Sequence, residues 1–339
     1  MEAVTDRRAG ILRLVVREYV DTAMPVGSKT IREKYELSAS AATIRSEMQA
    51  LESDGFLTHP YTSAGRIPSD LGYRSYVESL MGPVELAAEE KATIRHQFYQ
   101  AAPELDEWAK LAAVLLARSL GLVAIVTPPR SDDLRVRRVE LVLLKDLLAL
   151  LIVVLREARV LKQLVPLASP ADQSQLNSTS SHLNERLVGK SLREIRRQSP
   201  AEGIEGGIER SIAQLLEVES QREIGAYIEG LSGVLEQPEF QQNRDDFIDV
   251  IRLIDARSVD QLMPPATLGN SGVSVVIGQE HPIRAMQHCS VVMTPYSARS
   301  GISGFVGVLG PTRLEYGRAV ARVRYFSSLL DELMIEIYG

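Results

Sequence analysis

A lone cysteine, Cys289, has no partner for an intrachain disulfide and excludes a cysteine-rich metal site. Histidine is nearly as sparse. His59, His96, His182, His281 and His288 are scattered, and none falls at metal-ligand spacing with another, so neither a metal nor any other cofactor is expected. An excess of basic residues is missing as well: 38 lysines and arginines face 44 aspartates and glutamates, a net charge of -6. Bulk charge therefore gives no pointer to nucleic acid, and any such pointer must come from local pattern. No apolar run is long enough to cross a bilayer. The greasiest stretch, residues 139–155, is split by Lys145-Asp146 into halves far too short. The first ten residues carry no apolar signal-peptide core. A cytoplasmic protein with no membrane partner is the expectation. Catalytic signatures are also absent: there is no G-x-S-x-G elbow, Walker A loop or H-E-x-x-H. Gly301, Gly304 and Gly307 lack the dinucleotide pattern and read as glycines easing a strand past a neighbour. Acidic pairs such as Glu89-Glu90 lie in charged helical faces, where solvation accounts for them. No enzyme is expected, and no catalytic residue is assigned.

What is present is a soluble globular composition, 45% hydrophobic and 24% charged, over a length that suits two or three domains. In residues 6–20 the apolar side chains Ile11, Val15 and Tyr19 recur every four positions, which marks one buried helical face. Pro25-Val26-Gly27 ends that helix. Ser28 is expected to cap a short helix over 29–35, and Ser40 a third helix running to about Ser53. The third helix carries Ile44, Met48 and Leu51 on one stripe, and Gly55 suits its C-terminal end. A short strand at 56–59, a polar loop at 61–66 and a helix from about Ser69 complete the pattern. Three helices, a strand and a loop within about 80 residues read as a winged helix-turn-helix over 1–82.

Residues 83–119 read as a helical connector broken at Pro103. Strand-like runs follow at 121–127, 136–144, 147–155 and 160–167, with Lys145-Asp146 as a hairpin turn. Residues 169–258 turn polar and helical. Strands return at 273–277, 289–294 and 304–309, before a closing helix over 314–338. Strands on both sides of a helical block point to one α+β sheet domain, 120–170 and 259–339, interrupted by an insertion over 171–258.

Several blocks carry a resemblance. They are Val26-Gly27-Ser28-Lys29-Thr30, Ala42-Thr43-Ile44-Arg45, Thr62-Ser63-Ala64-Gly65-Arg66-Ile67-Pro68 and Gly72-Tyr73-Arg74. In the C-terminal half they are Ile277-Gly278-Gln279-Glu280, Cys289-Ser290-Val291-Val292 and Gly307-Val308-Leu309-Gly310-Pro311-Thr312-Arg313 with Tyr316. In that order the chain resembles the HrcA family of heat-inducible transcription repressors over nearly its whole length. The resemblance implies a winged helix-turn-helix, a GAF-like α+β domain and a helical dimerising insertion within it. It also implies a homodimer on an inverted-repeat operator ahead of chaperone operons, and help from a GroEL-type chaperonin. The chain departs from the family at Ala41 (usually Pro), Ser46 (usually Asn), Tyr61 (often His) and His281 (often Asn).

In a helix-turn-helix the second helix of the motif enters the major groove. With Ile44, Met48 and Leu51 facing inward, its N-terminal Ser40 and the face bearing Ala42, Thr43, Arg45, Ser46 and Gln49 are the candidates to read bases, because Arg can bond bidentately to guanine and Gln to adenine. Tyr61, Thr62, Ser63 and Arg66 on the wing, with Lys29, Thr30 and Arg74, are candidate phosphate contacts, which position rather than specify. Residues 1–80 hold ten lysines and arginines against eleven acids, so only modest non-specific affinity is expected. A rival reading makes the protein a winged-helix regulator gated by a small molecule held in the GAF-like domain. The dimer contact is expected within 176–236.

Overall fold

The computed structural model describes residues 6–61, 65–82, 84–102, 104–131, 133–156, 159–199, 201–221, 225–235, 237, 239–240, 244–255, 272–298 and 302–338. The fold is mixed α/β and forms two compact units. One comprises Met1–Pro128, Gly225–Tyr296 and Phe305–Leu330, the other Pro129–Ile224, Ser297–Gly304 and Asp331–Gly339.

The first unit begins with α1 (Asp6–Thr22), α2 (Ser28–Lys34) and α3 (Ala41–Ser53). Ile11, Leu12, Val15 and Val16 of α1, Ile31 of α2 and Ile44, Met48 and Leu51 of α3 are buried. The four-residue recurrence seen in the sequence is thus the inner face of a three-helix core. The α2 start differs from expectation. Gly27 is the N-cap, without a side-chain cap, and Ser28 is already helical. Glu36 turns the chain between α2 and α3 through a left-handed conformation (φ 48°). Strands β1 (Leu57–Thr58) and β2 (Ile67–Pro68) then pair antiparallel, and α4 (Asp70–Ser75) runs into a π-helical turn, Tyr76–Leu80. Gly72 of α4 packs so closely on Phe56 that a Cβ would overlap its carbonyl oxygen.

Helices α5 (Ala88–Gln100) and α6 (Leu105–Leu120) flank Pro103, as the sequence predicts. The small-residue face of α6, with Ala109, Ala112 and Ala113 fully buried, lets it approach the sheet closely. That sheet has the order β8-β3-β11-β10-β9, from β3 (Val123–Val126), β8 (Tyr227–Glu229), β9 (Ser274–Ile277), β10 (Cys289–Ala298) and β11 (Ile302–Pro311). The pairs β8–β3, β3–β11 and β10–β9 are antiparallel, and β4 (Arg130–Ser131) joins the outer end of β11. Val123, Ile125, Cys289, Val291, Met293 and Leu309 share a core with Val234, Phe240 and Val250. Val234 lies in α10 (Leu231–Leu235) and Val250 in α11 (Arg244–Asp255). The closing helix α12 (Tyr316–Tyr338) buries Val320, Val323, Phe326 and Leu330, and Phe326 meets Phe98 of α5 at 6.2 Å between ring centroids.

In the second unit β5 (Val136–Lys145), β6 (Leu148–Leu155) and β7 (Val160–Pro166) form their own antiparallel meander, with the hairpin turn at Asp146-Leu147, one position beyond the expected Lys145-Asp146. One face packs on α7 (Gln173–Leu187), α8 (Leu192–Arg196) and α9 (Gly203–Gln221). Sequence pattern puts 136–167 into the same sheet as 121–127. The structure separates them, because every ladder of β5–β7 among the described residues is internal to the meander. Conversely, residues 227–229, expected to be helical, form an edge strand beside β3.

Candidate nucleic-acid interface

The candidate site is built on α3. Ser40 sits in extended backbone ahead of the helix and accepts a hydrogen bond from the Thr43 N–H at 3.1 Å, which satisfies one of the donors left over at a helix start. Its hydroxyl also lies 2.9 Å from Thr43 Oγ1. The inner stripe Ile44, Met48 and Leu51 fixes the helix rotation, and electrostatic ties fix its neighbours. Arg8 of α1 donates to Glu47 at 3.0 Å and to Asp54 at 3.4 Å. Glu18 of α1 is buried. It pairs with Lys34 at 2.6 Å and accepts from the Tyr35 hydroxyl at 3.1 Å. The Lys34 ammonium is held above its ordinary range by that hydrogen bond, and burial pushes the Tyr35 phenol up.

Rotation fixed in this way leaves Ala42, Arg45, Ser46 and Gln49 exposed and Thr43 half-buried. Arg45 and Gln49 are one turn apart, so their side chains share a face. Neither they nor Ser46 have a side-chain partner among the described residues, whereas Thr43 is engaged with the cap. At the start of α2, Lys29 and Thr30 are exposed and have no side-chain partner.

The β1–β2 ribbon is tied back to the helices by a two-way backbone bridge between Val26 and Arg66, 2.8 Å in each direction. At its base, the Arg66 guanidinium turns inward to Glu52 of α3 at 2.7 Å, and His59 meets the same carboxylate. Tyr61 is 68% exposed. Thr62 and Ser63 lie outside the described residues. The structure thus brings Ser40, Ala42, Arg45, Ser46, Gln49, Lys29, Thr30 and Tyr61 to the surface of one module, while Arg66 has its charge matched at home.

Arg74 is the one candidate that the structure assigns elsewhere. Its Nε donates to Glu280 Oε1 at 2.7 Å, and its Nη2 donates to the other carboxylate oxygen and to the Val275 carbonyl at 2.7 Å. This fork is a good carboxylate clamp. It commits Nε and Nη2 of Arg74 to Glu280 and Val275, and Nη1 lies 3.8 Å from Glu78, so this guanidinium's charge is matched within the chain. Next to it, Asp70 Oδ2 accepts from the Gln279 N–H at 2.9 Å, and burial raises the Asp70 carboxyl above its usual value. These contacts between positions more than two hundred apart follow from no spacing rule in the sequence. Among the described residues no group of three or more His, Cys, Asp or Glu could hold a metal ion, and no helix is long and apolar enough to cross a membrane.

Comparison with known proteins gives the class of fold first. A solved crystal structure described only as a hypothetical protein superposes with a TM-score of 0.60 at 23% identity, over 98% of both chains, and shows that this mixed α/β arrangement extends over the full length. The match to a family is closer. The family model for the HrcA protein C-terminal domain matches residues 106–320. The heat-inducible transcription repressor HrcA of Roseiflexus castenholzii is 39% identical over 99% of this chain and 96% of its own. Those of Chloroflexus aggregans (38%, 99% and 94%) and Dehalococcoides mccartyi strain 195 (36%, 99% and 97%) are similar to it to nearly the same degree. The chain belongs to the HrcA family.

Proposed function

We propose that the chain is a cytoplasmic transcription repressor of heat-shock chaperone operons, not an enzyme, and that it binds an inverted-repeat operator as a dimer. In this reading residues 1–82 are a winged helix-turn-helix, 83–119 a connector, and the sheet β8-β3-β11-β10-β9 with α10–α12 a GAF-like domain. The observation that carries it is the outward face of α3, where Arg45, Ser46 and Gln49 have no partner among the described residues while the opposite face of the same helix is locked into a core. A surface arginine and glutamine one turn apart on a rigid helix offer two bidentate hydrogen-bonding groups, a double donor that suits guanine and a donor–acceptor pair that suits adenine in the major groove. The exposed Lys29, Thr30 and Tyr61 are read as phosphate contacts, and so, from the sequence alone, are Thr62 and Ser63. Ser46, where the family usually has Asn, shortens one reach toward the bases. The chaperonin's part in restoring active repressor after heat comes from the family resemblance.

The dimer contact belongs on the meander. Leu176, Leu183, Leu187, Ile208, Ile212 and Leu216, which lie in the stretch expected to dimerise, are buried against the inner face of β5–β7 and cannot meet a second chain. The outer face carries Leu150, Ile152 and Val154, with Val142, Leu144, Val160 and Leu164 each more than two-fifths exposed. Such an apolar patch on a sheet marks an interaction surface. Leu150→Lys is expected to give a monomer by sedimentation that still folds.

A gel shift on the inverted repeat ahead of a chaperone operon tests the whole reading. Tight binding there, weak binding to a random duplex, and a specific affinity reduced about 10- to 100-fold by Arg45→Ala are the expected results. Equal affinity for both duplexes overturns it.

A further inference from the structure

Four contacts join the helices that frame α3 to the sheet of the same unit. Arg74 on α4 grips Glu280, and that carboxylate is itself held by the Ile277 N–H at 2.8 Å. Asp70, one turn earlier on α4, takes the Gln279 N–H. Between these two points Gly278 adopts φ +51° directly over Asp70, where any Cβ would overlap the carboxylate. Tyr73, also on α4, packs its ring 5.7 Å from that of Tyr316, whose hydroxyl donates to the Thr312 carbonyl at 2.7 Å and lies 2.8 Å from Ser290 Oγ. The fourth contact is separate. Arg313 pairs with Glu239 and donates from Nη1 to the Val20 carbonyl, near the C-terminal end of α1, at 2.8 Å.

The geometry matters more than the strength of any one contact. One attachment leaves a ball joint and two leave a hinge axis. Attachments on both α1 and α4, with three on α4 at positions 70, 73 and 74, fix the orientation of the helical module. The contacts are also directional hydrogen bonds and a close glycine approach, which tolerate little rotation.

We infer that Asp70, Arg74, Gly278 and Glu280 form a rigid coupling that sets the direction in which α3 faces, so that the two copies in a dimer present their reading helices at a fixed separation. The inference rests on the repressor reading above and assigns these four as positioning residues, not DNA contacts. A dimer on two half-sites gains affinity because its second head binds at high effective concentration, and that gain requires the heads to be held at matching geometry. Loosening the coupling removes the gain and leaves each head's own grip intact.

The test compares full-length wild type, Glu280→Gln and Asp70→Asn on two duplexes, one with the complete inverted repeat and one with a single half-site. The coupling predicts that each variant loses about tenfold or more on the complete repeat, while half-site affinity stays within about twofold. Glu280→Gln also releases Arg74. If Arg74 were a phosphate ligand, this variant would bind both duplexes more tightly, which overturns the coupling. Parallel losses on both duplexes, or no loss on either, overturn it too. A thermal melt identifies a variant that is simply unfolded, and the other variant then decides. If wild type does not prefer the complete repeat to a random duplex, the repressor reading fails and the coupling with it. If wild type binds as expected and the ratio does not move, only the coupling fails.

Discussion

Helices α3 and α4 belong to the same small module, and each begins behind a serine cap, Ser40 or Ser69, whose hydroxyl accepts a backbone N–H at 3.1 Å. Their polar residues have opposite fates. On α3, Arg45, Ser46 and Gln49 are exposed without side-chain partners among the described residues, while on α4, Asp70 and Arg74 hydrogen-bond with the 275–280 segment. Both helices carry residues of the blocks that identify the family, so membership of a motif does not say whether a residue meets a partner molecule or another part of its own chain. Charge satisfaction within the fold separates the two cases.

The comparison breaks most sharply if the buried side of α3 is cut away. Ile44→Ala removes a fully buried side chain from the three-helix core and is expected to cost about 2–5 kcal/mol of stability in chemical denaturation, abolishing operator binding as the module melts. Gly72→Ala attacks α4 in the same sense, by forcing a methyl against the Phe56 carbonyl, and should cost about 1–3 kcal/mol. Below its melting temperature it should leave the α3 face intact, so binding to a half-site survives.

Acid should act on the α4 side alone. His281 is buried next to Glu280, and burial lowers its pKa from 6.5 to about 4, against an opposing pull from the Glu280 carboxylate. Between those values the unfolded chain takes up the proton and the folded chain does not. Stability is therefore complete above pH 6.5 and falls as the pH drops toward 4. A loss of about 1 kcal/mol between pH 7 and 5.5 is expected. His281→Asn, which restores the residue frequent in the family, should flatten that slope in pH-dependent melts. The smallest effect belongs to Lys29→Ala. It should weaken every duplex alike and reduce the slope of log affinity against log salt by about one, without moving the melting temperature.

Much of the fold could be read from the chain. The periodicity of α1, α3 and α12, the hairpin near Lys145-Asp146 and the break around Pro103 are local signals, and local signals survive folding. Strand partnership is not local. Residues 148–155 are apolar throughout, as a strand in the main sheet would also be, and nothing within them says that Leu151 pairs with Leu141 and Gln163 rather than with the strand at 123–126. The α3 face was legible because its inner stripe fixes its outer one. The fate of Arg74 was not, because a guanidinium fork suits phosphate and carboxylate equally and its carboxylate lies 206 positions away. Capping at α2 failed for a smaller reason: Gly27, in extended backbone, can take the cap position as well as Ser28.

Strand β3 leaves the main sheet just before the meander unit, and β8 returns just after it, with Val126 directly opposite Tyr227. The intervening stretch therefore starts and finishes on adjacent rungs of one ladder, and the meander with its helices α7–α9 can complete its own core as soon as residue 221 has been made. The main sheet cannot. Its β11, which lies between β3 and β10, follows the whole meander unit in chain order. During synthesis the chain thus holds one part already folded and one still open-edged, and it is the open sheet, missing its middle strand, that must be kept from aggregating until β11 emerges.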